Sequence, residues 1–230
     1  QPRSRGLGDV YKRQGDEGWM TTEQQHVLVL LAGAPGTGKT YTAAKIMQAV
    51  HGFVSLPLDL FKEHLYDELG FDNLREKQML DAEARARYYR GIDILMAEGK
   101  MILGDYPFSR LQKESIEQLA TKYHYHVITV RLEAAINVLY ERQRHRDLTD
   151  PRHLGHLMNH YHRGDTLDNI SEQPDGMPSF ETFAKRVKDR GYQDFQIGQL
   201  IRVDVNDYTK IDYQKLLEKL KQALKVEVES

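Results

Sequence analysis

The sequence predicts an α/β protein: a three-layer α/β/α sandwich whose five-stranded, mainly parallel sheet is covered by helices on both faces. Three observations lead there. Apolar runs of strand length alternate with amphipathic stretches of helix length, which implies parallel βαβ units with right-handed crossovers. The first run, His26–Ala32, is apolar almost without a break, as a strand buried on both faces must be. A glycine-rich turn, Gly33–Thr40, joins that run directly to a helical stretch.

In chain order, residues 1–19 are rich in Gly, Arg and Asp and carry no period of 2 or 3.6. Arg5–Gln14 looks like adaptor-derived translation and Met20 like a natural start, so 1–19 is expected to be a disordered, non-native tail. Residues 20–230 are expected to form one domain, since no repeat or low-complexity linker divides them. After His26–Ala32, helical periodicity covers Thr40–His51 and a short strand Gly52–Leu56 follows. Leu58–Leu69 and Leu74–Glu98 read as helices, the second with a break expected near Asp81. Lys100–Gly104 is the third strand, Arg110–Tyr123 a helix, His124–Leu132 the fourth strand and Glu133–Arg146 a helix. The stretch of about 147–178 is polar, holds Gly, Pro and His, and is expected to form a helical lid. Ser179–Asp189 is a helix, Leu200–Val205 the last strand and Asp212–Leu224 the last helix. In such a sheet, ligands bind at the carboxyl ends of the strands.

Composition narrows the function classes. The chain has 230 residues, 40% of them hydrophobic and 29% charged, ordinary values for a globular protein. A formal net charge of −2 gives no global field toward nucleic acid or an anionic membrane, so nucleic acid is not favoured as a partner. With no cysteine there is no disulfide, thiolate metal site or thiol catalysis, which fits a reducing cytoplasm. No apolar run is long enough to span a bilayer, and no membrane partner is expected.

The turn Gly33-Ala34-Pro35-Gly36-Thr37-Gly38-Lys39-Thr40 fits G-x-x-x-x-G-K-[ST] at every position, with a strand before it and a helix after it. Glycines let the backbone curl until several N–H groups point at one anion, and the helix adds its positive end. Lys39 is placed to reach the β and γ phosphates of a nucleoside triphosphate, and Thr40 to offer its hydroxyl to Mg²⁺. Residues 33–40, with Tyr41 behind them, form the expected nucleotide-binding set. No Asn-Lys-x-Asp guanine motif follows, so the nucleotide is expected to be ATP. The third strand ends Gly104-Asp105-Tyr106, without the Glu beside the Asp that a motor ATPase uses. A kinase remains by elimination.

Two aspartates stand at strand ends. Asp105 is expected to approach the Mg²⁺ held by Thr40 and to border the substrate; a turn or helix-cap aspartate is the competing reading, because Pro107 and Ser109 follow. Asp59 opens a helix after the second strand, where it can take a proton from an attacking hydroxyl or cap that helix. Lys62, one turn later, is a candidate for an anionic substrate group or the transferring phosphate, or is a solvated charge.

The loop, Leu58-Asp59-Leu60-Phe61-Lys62-Glu63, Leu65–Phe71, Gly99–Asp105 and Glu141-Arg142-Gln143-Arg144-His145-Arg146 together resemble the AAA_33 group of P-loop kinases. That group is similar to the 5′-kinase domain of polynucleotide kinases, chloramphenicol phosphotransferase and zeta toxins. The likeness runs from about Val27 to His156, with a weaker echo at Ile201–Asp204. It implies that Asp59 is the general base and that Lys62 binds substrate or phosphate. Relatives often carry Arg at the Lys62 position, and Lys lacks its bidentate geometry. Tyr106-Pro107-Phe108 also departs from the relatives, which puts different substrate contacts there.

Arg142, Arg144 and Arg146 end the helix before the lid. Arginines arriving there can stabilise the transferring phosphoryl group, so Arg142 and Arg146 are candidate catalytic residues and Arg144 a candidate substrate contact. Complementing the helix dipole is the competing reading. Arg152-His153-Leu154-Gly155-His156 resembles the Arg-His-Pro-Gly-His of many relatives. His156 and His160 have i, i+4 spacing, but no third ligand is fixed and zinc is not expected; a substrate-contacting lid is. The expected function is transfer of the γ-phosphate of ATP, with Mg²⁺, to a hydroxyl of a small molecule or nucleotide. The rivals are a nucleotide-gated ATPase or switch, a nucleic-acid 5′-kinase or toxin-like kinase, and a non-catalytic nucleotide-binding module.

Overall fold

The computed structural model describes residues 26–149, 152–166 and 176–225, so the expected tail 1–19 lies outside the described residues, as does part of the expected lid. Five strands make one sheet: β1 (Val27–Ala32), β2 (Phe53–Pro57), β3 (Met101–Asp105), β4 (His126–Glu133) and β5 (Gln199–Asp204). Their order is β2-β3-β1-β4-β5, and every pairing is parallel.

β1 is central and all six of its residues are buried. Its side chains alternate between two cores. Val27, Val29 and Leu31 join Ile46, Leu139, Phe183 and Leu220 on one face, while Leu28, Leu30 and Ala32 join Leu65, Tyr88, Ile92 and Ile116 on the other. A strand with apolar residues on both faces can rest only between two helical layers, which is why the unbroken run predicts the sandwich. One layer is drawn from α1 (Lys39–Ala49), α5 (Ile136–Thr149), α7 (Phe180–Arg190) and α8 (Tyr213–Lys225). The other is drawn from α2 (Leu58–Leu69), α3 (Leu74–Ala97) and α4 (Arg110–Lys122).

The break expected near Asp81 is absent: α3 is continuous over 24 residues. Its turns around Asp81 look polar because Asp81 is bonded to α2, not because the helix stops. The Tyr66 hydroxyl donates to Asp81 at 2.5 Å and the Lys62 ammonium lies 3.4 Å from the same oxygen. Asn73 caps α3 by accepting from the Glu76 amide, and Ser109 caps α4 in a reciprocal box with Gln112.

Among the described lid residues, helix continues to Thr149 and recurs only in a four-residue turn, α6 (Leu154–Leu157). This segment docks on α2 and the α2–α3 turn. Phe71 and Tyr161 exchange two backbone hydrogen bonds, both of 2.8 Å. His153 bonds Asp67 at 3.1 Å, His156 bonds Glu63 at 2.9 Å and His162 bonds Asp72 at 2.7 Å.

Candidate active site

The register of the sheet decides what meets at its carboxyl edge. Leu31 of β1 pairs with Asp105 of β3, and Asp105 pairs with Pro57 of β2. Neighbouring strands are roughly 4.8 Å apart, so the phosphate loop, Asp105 and the start of α2 lie side by side within roughly 10 Å. They border a cleft of about 1040 Å³, lined by Gly36, Lys39, Thr40, Asp59, Lys62 and Asp105 among others. Arg142, Arg146, Arg152, Tyr106, His156 and Leu157 line it as well.

The loop has a left-handed conformation at Gly33, Gly36 and Gly38. At Gly33 the need for glycine is absolute: φ is +135°, and a Cβ would sit 2.5 Å from the Leu132 carbonyl oxygen. Gly33, Ala34 and Thr37 do not border the cleft. The Thr37 hydroxyl is turned inward and donates to the Ala34 carbonyl at 2.9 Å. Tyr41 does border the cleft and packs edge-on against Tyr213.

Lys39 is folded back over its own loop. Its ammonium donates to the carbonyls of Gly33 at 3.0 Å and Ala34 at 3.1 Å. Burial pushes its pKa down from 10.5 to about 8, with the Arg146 charge acting in the same direction and Asp105 and Asp59 opposing. Asp105 moves the other way. Burial raises it and Asp59 adds to the rise, while Lys39 and a hydrogen bond from Thr40 hold it down. The hydroxyl of Thr40 and the carboxylate of Asp105 thus sit together at the positive end of α1. That is a hard-oxygen donor pair of the kind that suits Mg²⁺ bound mainly through phosphates and water.

The competing readings of both aspartates can be checked against the helix ends. α4 is capped by Ser109, which leaves Asp105 outside any cap. α2 has Pro57 at its N-cap and no side-chain cap, so Asp59 in its first turn does not serve as one. Lys62 is nearly buried, 5.5 Å from the Tyr106 ring centre. Burial alone would lower it, but Tyr106, Asp81 and Asp59 together raise it.

The three arginines separate. Arg142 donates to the carbonyls of Val205 at 2.6 Å and Asn206 at 2.8 Å and lies 3.7 Å over the Tyr208 ring. Tyr208 in turn donates to the Gly36 carbonyl at 2.8 Å. Arg142 therefore braces the rim of the phosphate loop. Arg146 borders the cleft with a charge felt by Lys39. Arg144 is exposed and does not border the cleft, because two residues on a helix turn a side chain to the far face. The structure does not bring it to the site. His156 is turned to Glu63, and no cluster of three or more metal-ligating side chains occurs among the described residues.

Sequence reasoning missed Asp81, Asp147, Tyr208 and Arg186. Asp147 alone had a local signal: it is an acid directly after an Arg-x-Arg-x-Arg run. Tyr208 and Arg186 line the cleft and Asp81 pairs with Lys62, each from a distant part of the chain.

The family model described as Zeta toxin matches residues 12–173, a span that contains the phosphate loop, Asp59, Asp105 and the arginine run. A comparison with curated proteins found no match. Among solved structures, a candidate kinase from Chloroflexus aurantiacus j-10-fl is 24% identical, with a TM-score of 0.66 over 86% of this chain and 97% of that one. This likeness shows the shared fold. A gluconokinase from Sinorhizobium meliloti 1021 is 13% identical, with a TM-score of 0.49 over 86% of this chain and 90% of that one. The tunicamycin resistance protein of Deinococcus radiodurans is 15% identical, with a TM-score of 0.47 over 88% and 96% of the two chains.

Proposed function

The chain belongs to the Zeta toxin family, and from that premise we propose that it is an ATP-dependent kinase acting on a hydroxyl of a small molecule or nucleotide. The observation that carries this reading is the convergence of the phosphate loop, the Thr40–Asp105 pair and an uncapped Asp59 on one cleft. Backbone N–H groups of the loop and the Lys39 ammonium hold the β and γ phosphates, Lys39 exchanging its two carbonyl partners for phosphate oxygens. Thr40 and Asp105 are the residues that would hold Mg²⁺, whose charge neutralises the phosphates when it is bound. Asp59 accepts the proton of the acceptor hydroxyl as its oxygen bonds to the γ-phosphorus. The bond from that phosphorus to ADP breaks; the charge left on ADP is met by Lys39, and the charge on the transferring phosphoryl group by Arg146. Lys62 orients the acceptor side, supported by Asp81. The docked lid keeps water from competing with the acceptor.

The test is a screen of alcohols, sugars, nucleosides and oligonucleotides with γ-labelled ATP, run with the wild type and Asp59→Asn. Label transfer to an acceptor, lost by two orders of magnitude or more in Asp59→Asn, is the expected result. Transfer that survives the substitution would rule out Asp59 as base. Release of free phosphate alone, with no labelled acceptor, would make the protein an ATPase.

A further inference from the structure

Asp147 is a carboxylate that the reaction above does not use, yet it is buried at the wall of the cleft. Its side chain is only 5% exposed. Three side chains converge on it: Arg152 donates at 2.6 Å, Arg146 donates through two nitrogens at 3.3 and 3.4 Å, and Gln143 donates at 3.3 Å. Both arginines border the cleft that holds the phosphate loop. Arg146 belongs to α5, whereas Arg152 belongs to the lid. Two guanidinium groups and the Lys39 ammonium thus crowd one side of the site. In the absence of a phosphate, their repulsion would drive the flexible arginines outward into water. A buried acid between the two arginines prevents this, because desolvation makes it bind them more tightly than an exposed one would.

The geometry points to Asp147 as a positioning residue for phosphoryl transfer: it holds Arg146 against the γ-phosphate position and ties the lid arginine Arg152 to the same anchor. The inference rests on the proposed nucleotide site and adds to it a residue that touches neither substrate. On this account Asp147 acts on the γ-phosphate through Arg146, so removing either should have the same consequence for γ-phosphate recognition.

Calorimetric titration of the full chain with Mg–ATPγS and with Mg–ADP reads this without an identified acceptor. The preference for ATPγS over ADP isolates contacts to the γ-phosphate, and the binding stoichiometry reports the folded fraction. Arg146→Ala is expected to reduce that preference about tenfold, the worth of one charge-assisted hydrogen bond. Asp147→Asn is expected to reduce it by the same factor, the double variant to reduce it no further, and Asp147→Glu to restore most of it. A merely structural role would lower stoichiometry or melting temperature and leave the preference intact. The inference is overturned if Asp147→Asn keeps the preference that Arg146→Ala loses, or if the two losses add. If Arg146→Ala itself keeps the preference, the role of Arg146 in the proposed reaction fails, and the inference fails with it. No binding of either nucleotide by the folded wild type would overturn the nucleotide site as a whole.

Discussion

At Lys39 a primary ammonium has been taken out of water and left with two backbone carbonyls and the Thr37 hydroxyl as partners. The fold disfavours its charged form, so its pKa falls from 10.5 to about 8. On this account stability rises as pH climbs from 8 to 10.5, because the unfolded chain binds the extra proton over that window. A bound polyphosphate reverses the balance by supplying negative charge. Nucleotide binding should therefore take up a proton between pH 8 and 10, and affinity for Mg–ATP should fall across the same range. Calorimetry in two buffers of different ionisation enthalpy measures the uptake directly. Lys39→Met should abolish it, and binding without proton uptake in the wild type would show that Lys39 does not face the phosphates.

At the scale of elements, the lid and α2 form a histidine–carboxylate seam. Hydrogen bonding from His156 holds Glu63 below its ordinary 4.5, and bonds from Tyr161 and His153 hold Asp67 below 3.8. The Asp72 carboxylate holds His162 above 6.5. The acids contribute above their ordinary values and lose that contribution as pH falls through their depressed ones. His162 contributes fully below 6.5 and loses it as pH rises through its raised value. The seam is thus tightest between about 4.5 and 6.5. Arg152, Arg163, Asp165 and Glu76 face the same groups. Amide exchange at Phe71 and Tyr161, corrected for intrinsic rates, should show greatest protection there and weaken as pH rises above 6.5. Protection that stays flat from acid to alkaline pH would assign the docking to the backbone bridge and to the Tyr66–Gly155 contact instead. At Gly155 a Cβ would lie 2.4 Å from the Tyr66 ring, so close packing is the alternative source of adhesion.

For the whole molecule, the site is an edge property of the sheet. The strand order places β1 between β3 and β4, and the phosphate loop, Asp105 and the start of α2 lie at the carboxyl ends of β1, β3 and β2. A ligand that gathers those loops stabilises the entire sandwich by mass action. At a hundred times its dissociation constant, Mg–ATP should add about 2.7 kcal/mol. In a chain of 230 residues that corresponds to a rise in melting temperature of about 5–10 °C. Thermal denaturation with and without Mg–ATP checks this, and Lys39→Met should remove most of the rise. An unchanged melting temperature at saturating Mg–ATP would contradict nucleotide binding at the loop.

The phosphate loop was legible because its chemistry is contiguous: eight neighbouring residues specify the turn, and the apolar strand before it specifies burial. The same is true of the strand–helix alternation and of Leu58–Leu69, whose ends the periodicity places where the structure has them. Asp59 and Asp105 were legible as residues but not as roles, because a strand-end aspartate reads alike whether it caps a helix or faces a cleft. Only the folded helix ends, capped at Ser109 and begun at Pro57, leave both acids free of that duty. Asp81 looked like a helix breaker because a single sequence cannot show that Tyr66 and Lys62 meet it from another helix. The sequence by itself determined the sandwich, the loop and the set of charged side chains available to it. Tertiary structure decided which of them share a dielectric environment: Arg142 braces the loop rim, Arg146 faces Lys39, and Arg144 is left in solvent. The physical reason is that hydrogen-bond partners and burial, which set the charge and direction of a side chain, come from residues distant in the chain.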